Sequence, residues 1–569
     1  MRRWLPALLL LILVTSGSGP FGFAQGTQDK PRGADLLLIN GDIYTVDPAL
    51  GRVQALAIAD GKILAAGTND EVRKWAGPQT KVMDLEGRFV LPGFNDAHVH
   101  FGSGGLRQLR VEVEGTRSLK EFQDRIRARL GEFKPGEWVT GRGWDHSLWT
   151  ENRVPTKADL DAVSTDHPML FGRIDGHSSV ANSLALKLAG ITRDTPNPEG
   201  GEIVRGEDGE ATGGLKETAI GLVGRHVPDP SHEQRKRGLL LALADAARNG
   251  ITSIQDNSDW EDFLTLRELK GEGKLTLRVT EWLPFSAPLD QLEKMRKEGG
   301  TTDPWLKTGA LKGVADGSGG SLSAAMLEPF APEASGRPGN TGILRFDPEQ
   351  LKKMVAEREA AGFQINIHAI GDRANRVALD AFEAARKLNP PRPGRNTRHR
   401  IEHAQFVHAD DFARFRELGV IASMQPCHLL NDLRWARIIL GPERYHEAYA
   451  WQTFRQNNVP LAFGTDYAVE PLNPMRGLYA SIAREFESGG PLGGWLPEEK
   501  ISIADAIRAY TWGSAYAEFE EHRKGTLAPG KFADLVVLST DITRAPAVEV
   551  LRTQVLLTMV GGRVVYEKK

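Results

Sequence analysis

The chain has 569 residues and nearly balanced charge, with 71 Lys and Arg against 74 Asp and Glu. This length allows a large core and two structural domains. The net charge of −3 argues against nucleic acid as an obligate partner, because such a partner favours a basic surface. Cys427 is the single cysteine, which excludes an intrachain disulfide and a cysteine-rich zinc site. Any metal must therefore be held by His, Asp, Glu or a modified Lys.

The N-terminus has the features of a secretory signal. Arg2 and Arg3 precede the short apolar run from Leu5 to Val14, and Gly22-Phe23-Ala24 resembles a cleavage site. We therefore predict a signal peptide over residues 1–24, export to the periplasm or the extracellular space, and no stable membrane insertion after cleavage. The alternative is an uncleaved anchor, although the apolar run is too short to span a bilayer comfortably.

Short β-strands are predicted near both ends of the chain. Asp60-Gly61 and Gly561-Gly562 are each flanked by apolar runs, a pattern that indicates tight hairpins. Because the two ends of a chain often lie close in space, we predict one composite β-sandwich domain from residues 34–88 and 523–569.

Between these ends, apolar strands alternate with helical patterns, which is typical of a parallel α/β fold. Eight strand candidates predict a (β/α)₈ TIM-like barrel over residues 89–522. A stretch of about residues 101–245 is too long for one crossover, so we predict an insertion after the first barrel strand. The eight candidates are Phe89–His100, Ile251–Asp256, Leu275–Leu283, Thr308–Asp316, Gln364–His368, His399–His403, Val420–Gln425 and Pro460–Asp466.

Residues that can bind a metal recur at the ends of the predicted strands. His98 and His100 are two apart and therefore point to the same side of the first strand. In a parallel barrel all strand ends meet at the C-terminal face, where active sites lie. Neutral imidazole and carboxylate are ordinary ligands of divalent metals. The candidate set is His98, His100, Lys312, His368, His403 and Asp466.

Several motifs together resemble the amidohydrolase superfamily of metal-dependent hydrolases, in particular the branch that includes N-substituted formamide deformylases. The resemblance extends from about Ala34 to the C-terminus. The motifs are Leu91-Pro92-Gly93-Phe94-Asn95-Asp96-Ala97-His98-Val99-His100, Lys312-Gly313-Val314-Ala315-Asp316-Gly317, His368-Ala369-Ile370-Gly371-Asp372, Ile401-Glu402-His403-Ala404-Gln405 and Gly464-Thr465-Asp466-Tyr467-Ala468-Val469-Glu470-Pro471-Leu472-Asn473-Pro474.

The resemblance implies roles for the candidate ligands. His98, His100 and Asp466 would bind the more buried metal, and His368 and His403 a second one. Lys312 would bridge the two as a carboxylated lysine; a mononuclear site, with Lys312 a structural residue, is the alternative. Zinc is the expected metal, although these ligands also suit manganese, iron or cobalt.

Four residues have expected roles in chemistry or substrate binding. A divalent metal lowers the pKa of bound water towards 7, and Asp466 would take the water's proton and pass it to a leaving nitrogen. His428 could hydrogen-bond the developing oxyanion or the substrate. Trp144 and His177, both in the insertion, could contact substrate, and packing within the insertion is the alternative for both.

The resulting hypothesis is a hydrolase that cleaves a non-peptide C–N bond of a small molecule, such as an N-acyl, N-formyl or cyclic amide. Two alternatives stay open. The same fold and metals could act on an ester, lactone or phosphoester, because a fold does not determine a function. A non-catalytic secreted binding protein is the other. A homodimer is the default expectation for the assembly.

Overall fold

The computed structural model describes residues 33–174, 177–335, 339–389 and 396–569, so the predicted signal peptide lies outside the described residues. Eight parallel strands form the central sheet and are adjacent in the same order as in the chain. They are β1 (Phe94–Val99), β2 (Ile251–Asp256), β3 (Arg278–Pro284), β4 (Leu306–Val314), β5 (Ile365–Ala369), β6 (Arg400–His403), β7 (Ile421–Met424) and β8 (Leu461–Phe463). Tyr467 bridges Val99 and brings the sheet nearly to closure, which confirms the predicted barrel.

Alternation along the strands separates an apolar outer face from a more polar interior. In β5, Ile365 and Ile367 belong to the apolar core, whereas Asn366 and His368 point to the other side of the strand. Helices cover the outside of the barrel, as a parallel sheet requires. The longer ones are Phe101–Leu109, His232–Arg248, Trp260–Gly271, Leu289–Gly299, Pro348–Ala360, Asp372–Leu388, Phe412–Leu418, Trp451–Gln456, Pro474–Ala483 and Ile503–Arg508.

The first predicted strand is divided in the structure. Phe89–Pro92 pairs with a C-terminal strand of another sheet, and only Phe94–Val99 belongs to the barrel. Gly93 lies between them, and a Cβ atom there would come within 2.1 Å of the Thr252 side chain. A residue without a side chain is therefore required where the chain passes from one sheet to the other.

Strands from both chain ends form two sheets beside the barrel. One sheet has the order Arg563–Glu567, Val555–Val560, Leu535–Leu538, Phe89–Pro92, Asp42–Tyr44 and Arg52–Val53. The other has the order Lys62–Gly67, Ala55–Ala59, Ala34–Ile39 and Ala76–Asp84. Leu38 and Ile58 of one sheet pack with Val90 and Val537 of the other in a shared core. The two sheets therefore form a sandwich to which both ends of the chain contribute.

The insertion has a sheet and a core of its own. Its strands follow the order Gly201–Arg205, Ala211–Glu217, Ser178–Ala181, Met169–Arg173, Val139–Trp144 and Val111–Glu112. Its helices are Leu119–Leu130, Lys157–Asp161, Ser183–Leu188 and Ile220–Gly224. Phe122, Trp144 and Phe171 are fully or almost fully buried in this core. Among the helices of the described residues, none is both long and apolar enough to cross a membrane.

Candidate metal centre

His98, His100 and Asp466 form one compact group at the C-terminal end of the barrel. The amide of Asp466 donates a 2.8 Å hydrogen bond to the carbonyl oxygen of His98, which holds the end of β8 against β1. Oδ1 of Asp466 consequently lies 3.3 Å from Nε2 of His100 and 3.8 Å from Nε2 of His98. Each of the three residues can offer one ligand atom to the same point.

Asp466 also belongs to a second group, with His403 and His428. Its other carboxylate oxygen, Oδ2, lies 3.4 Å from Nε2 of His428. The rings of His403 and His428 are nearly parallel, with centroids 5.9 Å apart. One carboxylate is thus shared by two sets of imidazoles. His428 therefore lies among the candidate ligands themselves.

Lys312 lies beside the first group, late in β4. Its Nζ is 3.0 Å from Nε2 of His98 and 5.4 Å from the centre of the Trp282 ring. Burial lowers the pKa of the Lys312 amine to about 8, against the opposing effect of the Glu402 and Asp466 carboxylates. Lys312 is therefore a buried amine in contact with a candidate ligand.

His368 lies beside His403 but outside both three-residue groups. The ring centroids of these two histidines are 4.5 Å apart. Nε2 of His368 is 3.0 Å from the carbonyl oxygen of Gly317 and 3.3 Å from Oδ1 of Asp316. Because a carbonyl oxygen can only accept, Nε2 carries the hydrogen in this contact, and the free lone pair of His368 is on Nδ1.

The protonation of the centre suits a divalent cation. Burial, followed by the charge of Lys312, lowers the pKa of His98, and burial with the neighbouring His368 lowers that of His403. Burial alone would raise the pKa of Asp466, but its close contact with His100 and the neighbouring His403 and His428 side chains lower it below the ordinary value. These shifts favour neutral imidazoles on His98 and His403 and an ionised carboxylate on Asp466, which are the forms that bind a metal.

Two buried atoms at the centre lack a hydrogen-bond partner among the described residues. They are Oδ1 of Asp466 and Nε2 of His428. Buried polar atoms are nearly always satisfied, so orphaned atoms require an explanation: a bound ion would account for Oδ1 of Asp466, and an oxygen of a bound substrate would account for Nε2 of His428. Together with the donor set, this shows that the residues present fit a metal.

Three candidate ligand histidines are oriented through their second ring nitrogen. Nδ1 of His100 lies 3.0 Å from the carbonyl oxygen of Asn257, and Nδ1 of His403 lies 2.7 Å from Oε1 of Gln425. Nδ1 of His98 lies 2.9 Å from Oε2 of Glu402. Such contacts fix the ring and direct Nε2 towards the metal.

Sequence reasoning missed Glu402 and Gln425. Glu402 lies in the motif Ile401-Glu402-His403-Ala404-Gln405, but no role was predicted for it. A usable signal was available, because Arg400 and Glu402 are two apart on one strand and therefore point to the same side. Gln425 offers no comparable signal, because an amide at a strand end is common.

The two insertion residues lie in different surroundings. Trp144 is buried in the core of the insertion, where its Nε1 donates a 2.8 Å hydrogen bond to the carbonyl oxygen of Phe171. His177 has a side chain that is 71% exposed and lies 2.9 Å from Oε1 of Glu217. These contacts give Trp144 a packing role, and a substrate contact by either residue stays a prediction.

Comparison with known proteins agrees with this geometry. A family model described as the amidohydrolase family matches residues 81–566. Protein LONG AFTER FAR-RED 3 of Arabidopsis thaliana is 35% identical over 545 residues, which cover 94% of this chain and 92% of that protein. The N-substituted formamide deformylase of Arthrobacter pascens is 27% identical over 94% of this chain and 98% of its own length.

A solved structure shares the fold. The crystal structure of an uncharacterized metal-dependent hydrolase from Pyrococcus horikoshii OT3 gives a TM-score of 0.73 at 27% identity, over 90% of this chain and 99% of that one. The resemblance drawn from the motifs is thereby confirmed. The chain belongs to the amidohydrolase family.

Proposed function

We propose that this protein hydrolyses a carbon–nitrogen bond other than an ordinary peptide bond, in an N-acyl, N-formyl or cyclic amide of a small molecule. The observation that carries the proposal is the Asp466 carboxylate, which is shared by two sets of histidines at the C-terminal face of the barrel. The similarity to an N-substituted formamide deformylase over 94% of the chain supports the type of bond.

The proposed cofactor is one or two divalent ions, with zinc as the expected metal. His98, His100 and Asp466 would hold the first ion, and His403 with Nδ1 of His368 the second. Lys312 would bridge them after carboxylation. Its burial and its pKa of about 8 support this, because only the neutral amine can react with carbon dioxide to give a carbamate.

The chain's own residues would move protons and bind the reacting carbonyl. A divalent ion in this site polarises a carbonyl oxygen and lowers the pKa of water. Asp466, whose Oδ1 has no hydrogen-bond partner among the described residues, would accept the proton of the attacking water and donate it to the leaving nitrogen. Nε2 of His428 would donate a hydrogen bond to the oxygen that gains negative charge.

Metal content and turnover test the proposal together. The protein is purified without chelator and with bicarbonate, its metal is counted per chain, and N-formyl, N-acyl and cyclic amides are assayed beside matched esters. We expect about two ions per chain, as in two-metal hydrolytic sites, and turnover of amides. Asp466→Asn, if folded and metal-loaded, should lose at least about a hundredfold in kcat, the usual size of a lost acid–base group.

Lys307 provides a matched control for Lys312. Both lysines are buried on β4, but Lys307 lies at the opposite end of the strand and pairs with Glu520. Lys312→Ala should lose metal, whereas Lys307→Ala should keep it. Equal metal content in wild type, Lys312→Ala and Lys307→Ala would show that Lys312 does not bind metal. Turnover of esters but not of amides would contradict the proposed cleavage of a carbon–nitrogen bond.

Export and assembly are two further parts of the proposal, and the N-terminal sequence supports the first. A signal peptide over residues 1–24 would export the protein, and N-terminal sequencing of the mature chain should then begin at Gln25. The assembly is proposed as a homodimer, which light scattering of the purified protein would test.

A further inference from the structure

We propose that Glu402 is a positioning residue that fixes His98 in the form required to bind the metal. This inference rests on the metal site of the proposed function. Oε2 of Glu402 lies 2.9 Å from Nδ1 of His98, and both side chains are completely buried. Nε2 of the same ring is the atom that lies beside Lys312 and Asp466.

Two further residues, Arg400 and Ser423, hold Glu402 by donating hydrogen bonds to its carboxylate. Oε1 lies 2.8 Å from Nε of Arg400, and Oε2 accepts from Nη2 of Arg400 at 3.1 Å and from Oγ of Ser423 at 2.7 Å. Arg400 is fully buried, and its guanidinium forms a buried ion pair with the Glu402 carboxylate. An ionised carboxylate can only accept, so Nδ1 of His98 must carry the hydrogen and Nε2 the lone pair.

The acceptor that orients His98 carries a negative charge, whereas the acceptors beside the neighbouring candidate ligands are neutral. Nδ1 of His100 faces a backbone carbonyl and Nδ1 of His403 faces a side-chain amide, both neutral acceptors. An anionic acceptor makes the imidazole more basic as well as fixing its ring. Glu402 should therefore strengthen metal binding at His98, and its loss should weaken the site by about 10- to 100-fold, the range for such partners.

The barrel interior offers a matched control. Glu518 is also a buried carboxylate paired with a cation, 2.8 Å from Nζ of Lys524, and it accepts a 2.7 Å hydrogen bond from Asn95. It lines the cavity of about 290 Å³ that lies below Trp282, whose ring contacts His98 from inside the barrel. Glu518→Gln and Glu402→Gln thus each replace one buried carboxylate with a neutral amide, but only the second deprives a candidate ligand histidine of its anionic acceptor.

The experiment measures zinc affinity by competition with a chelator for wild type, Glu402→Gln and Glu518→Gln, together with the thermal stability of the metal-free proteins. Both variants should be less stable without metal. Only Glu402→Gln should bind zinc about 10- to 100-fold more weakly. Affinity for Glu402→Gln within threefold of wild type would overturn the inference while leaving the metal site standing.

A milder variant covers the case in which Glu402→Gln does not fold. Ser423→Ala keeps the Arg400–Glu402 pair and removes one hydrogen bond to Oε2. It should weaken zinc binding less than Glu402→Gln but measurably, and unchanged affinity in Ser423→Ala would count against the network. A wild-type protein that binds no zinc, manganese, iron or cobalt would instead overturn the proposed function itself.

Discussion

Asp534 joins the terminal β-sandwich to the N-terminal end of the barrel, and replacing it with Asn should destabilise the protein by about 3 kcal/mol. Its carboxylate accepts two hydrogen bonds from Arg278 at the start of β3, at 2.7 and 2.9 Å. The two side chains are only 5% and 6% exposed. The pair therefore lies in a region that water hardly reaches, where a lost partner is costly.

The magnitude follows from what the substitution leaves behind. Breaking a buried pair by removing one partner costs about 3–5 kcal/mol, because the remaining charge stays buried. The lower end applies here, since the Arg278 guanidinium also lies over the rings of Phe532 and Trp305, at 3.7 and 4.7 Å. The amide oxygen introduced by Asp534→Asn would still accept the hydrogen bond that the Gly561 amide donates to this position, which is 2.8 Å long in the wild type.

Urea titration followed by tryptophan fluorescence measures the change, with Trp305 as a local reporter. The double variant Arg278→Met with Asp534→Asn removes both charges and should regain at least half of the lost free energy of unfolding. A loss below about 1 kcal/mol for Asp534→Asn, the value of an exposed pair, would refute the reasoning. A double variant as unstable as the single one would show that the cost does not come from an unpaired charge.

Two further predictions concern pH and substrate binding. Burial raises the pKa of Glu447 to about 7, so wild type loses stability as pH rises from about 4, where the unfolded chain ionises, to 7. The Tm of Glu447→Gln relative to wild type should therefore increase between pH 5 and 7 and then level off, whereas the exposed control Glu443→Gln should show no such trend. If His177 contacts substrate, His177→Ala should raise KM at unchanged kcat; an unchanged KM in steady-state assays would contradict a substrate contact by His177.

The sequence was sufficient to predict the barrel and to place several candidate ligands at strand ends, for a physical reason. The alternation of apolar and polar residues along a strand, and a polar residue near its end, are local features of the sequence. His368 and His403 could therefore be placed at neighbouring strand ends. The sequence did not predict which ring nitrogen of His368 or His403 faces the candidate metal site. That choice depends on contacts with distant segments, such as those at Gly317 and Gln425.

Other features depend on contacts that leave no local pattern. The apolar run Phe89–Pro92 is compatible both with a strand that continues into β1 and with one that pairs with Leu535–Leu538. The sequence does not show that the chain passes between the two sheets at Gly93, because this depends on the close approach of Thr252. The sequence predicts a substrate contact or a packing role for Trp144. Its neighbours Phe122 and Phe171 come from other parts of the insertion, and these contacts bury it in that core.

The interior beneath the metal centre suggests how stability and metal binding can be separated. Arg400, Glu402 and Ser423 form a buried polar network where many barrels pack branched apolar side chains. Both amide atoms of the nearby Asn366 lack a partner among the described residues, and buried polar groups of this kind reduce stability. The folded state must then depend on packing outside the interior, including the docking of the terminal sandwich through Asp534. Asp534→Asn should consequently lower stability at unchanged zinc affinity. Ser423→Ala, in contrast, should weaken zinc binding.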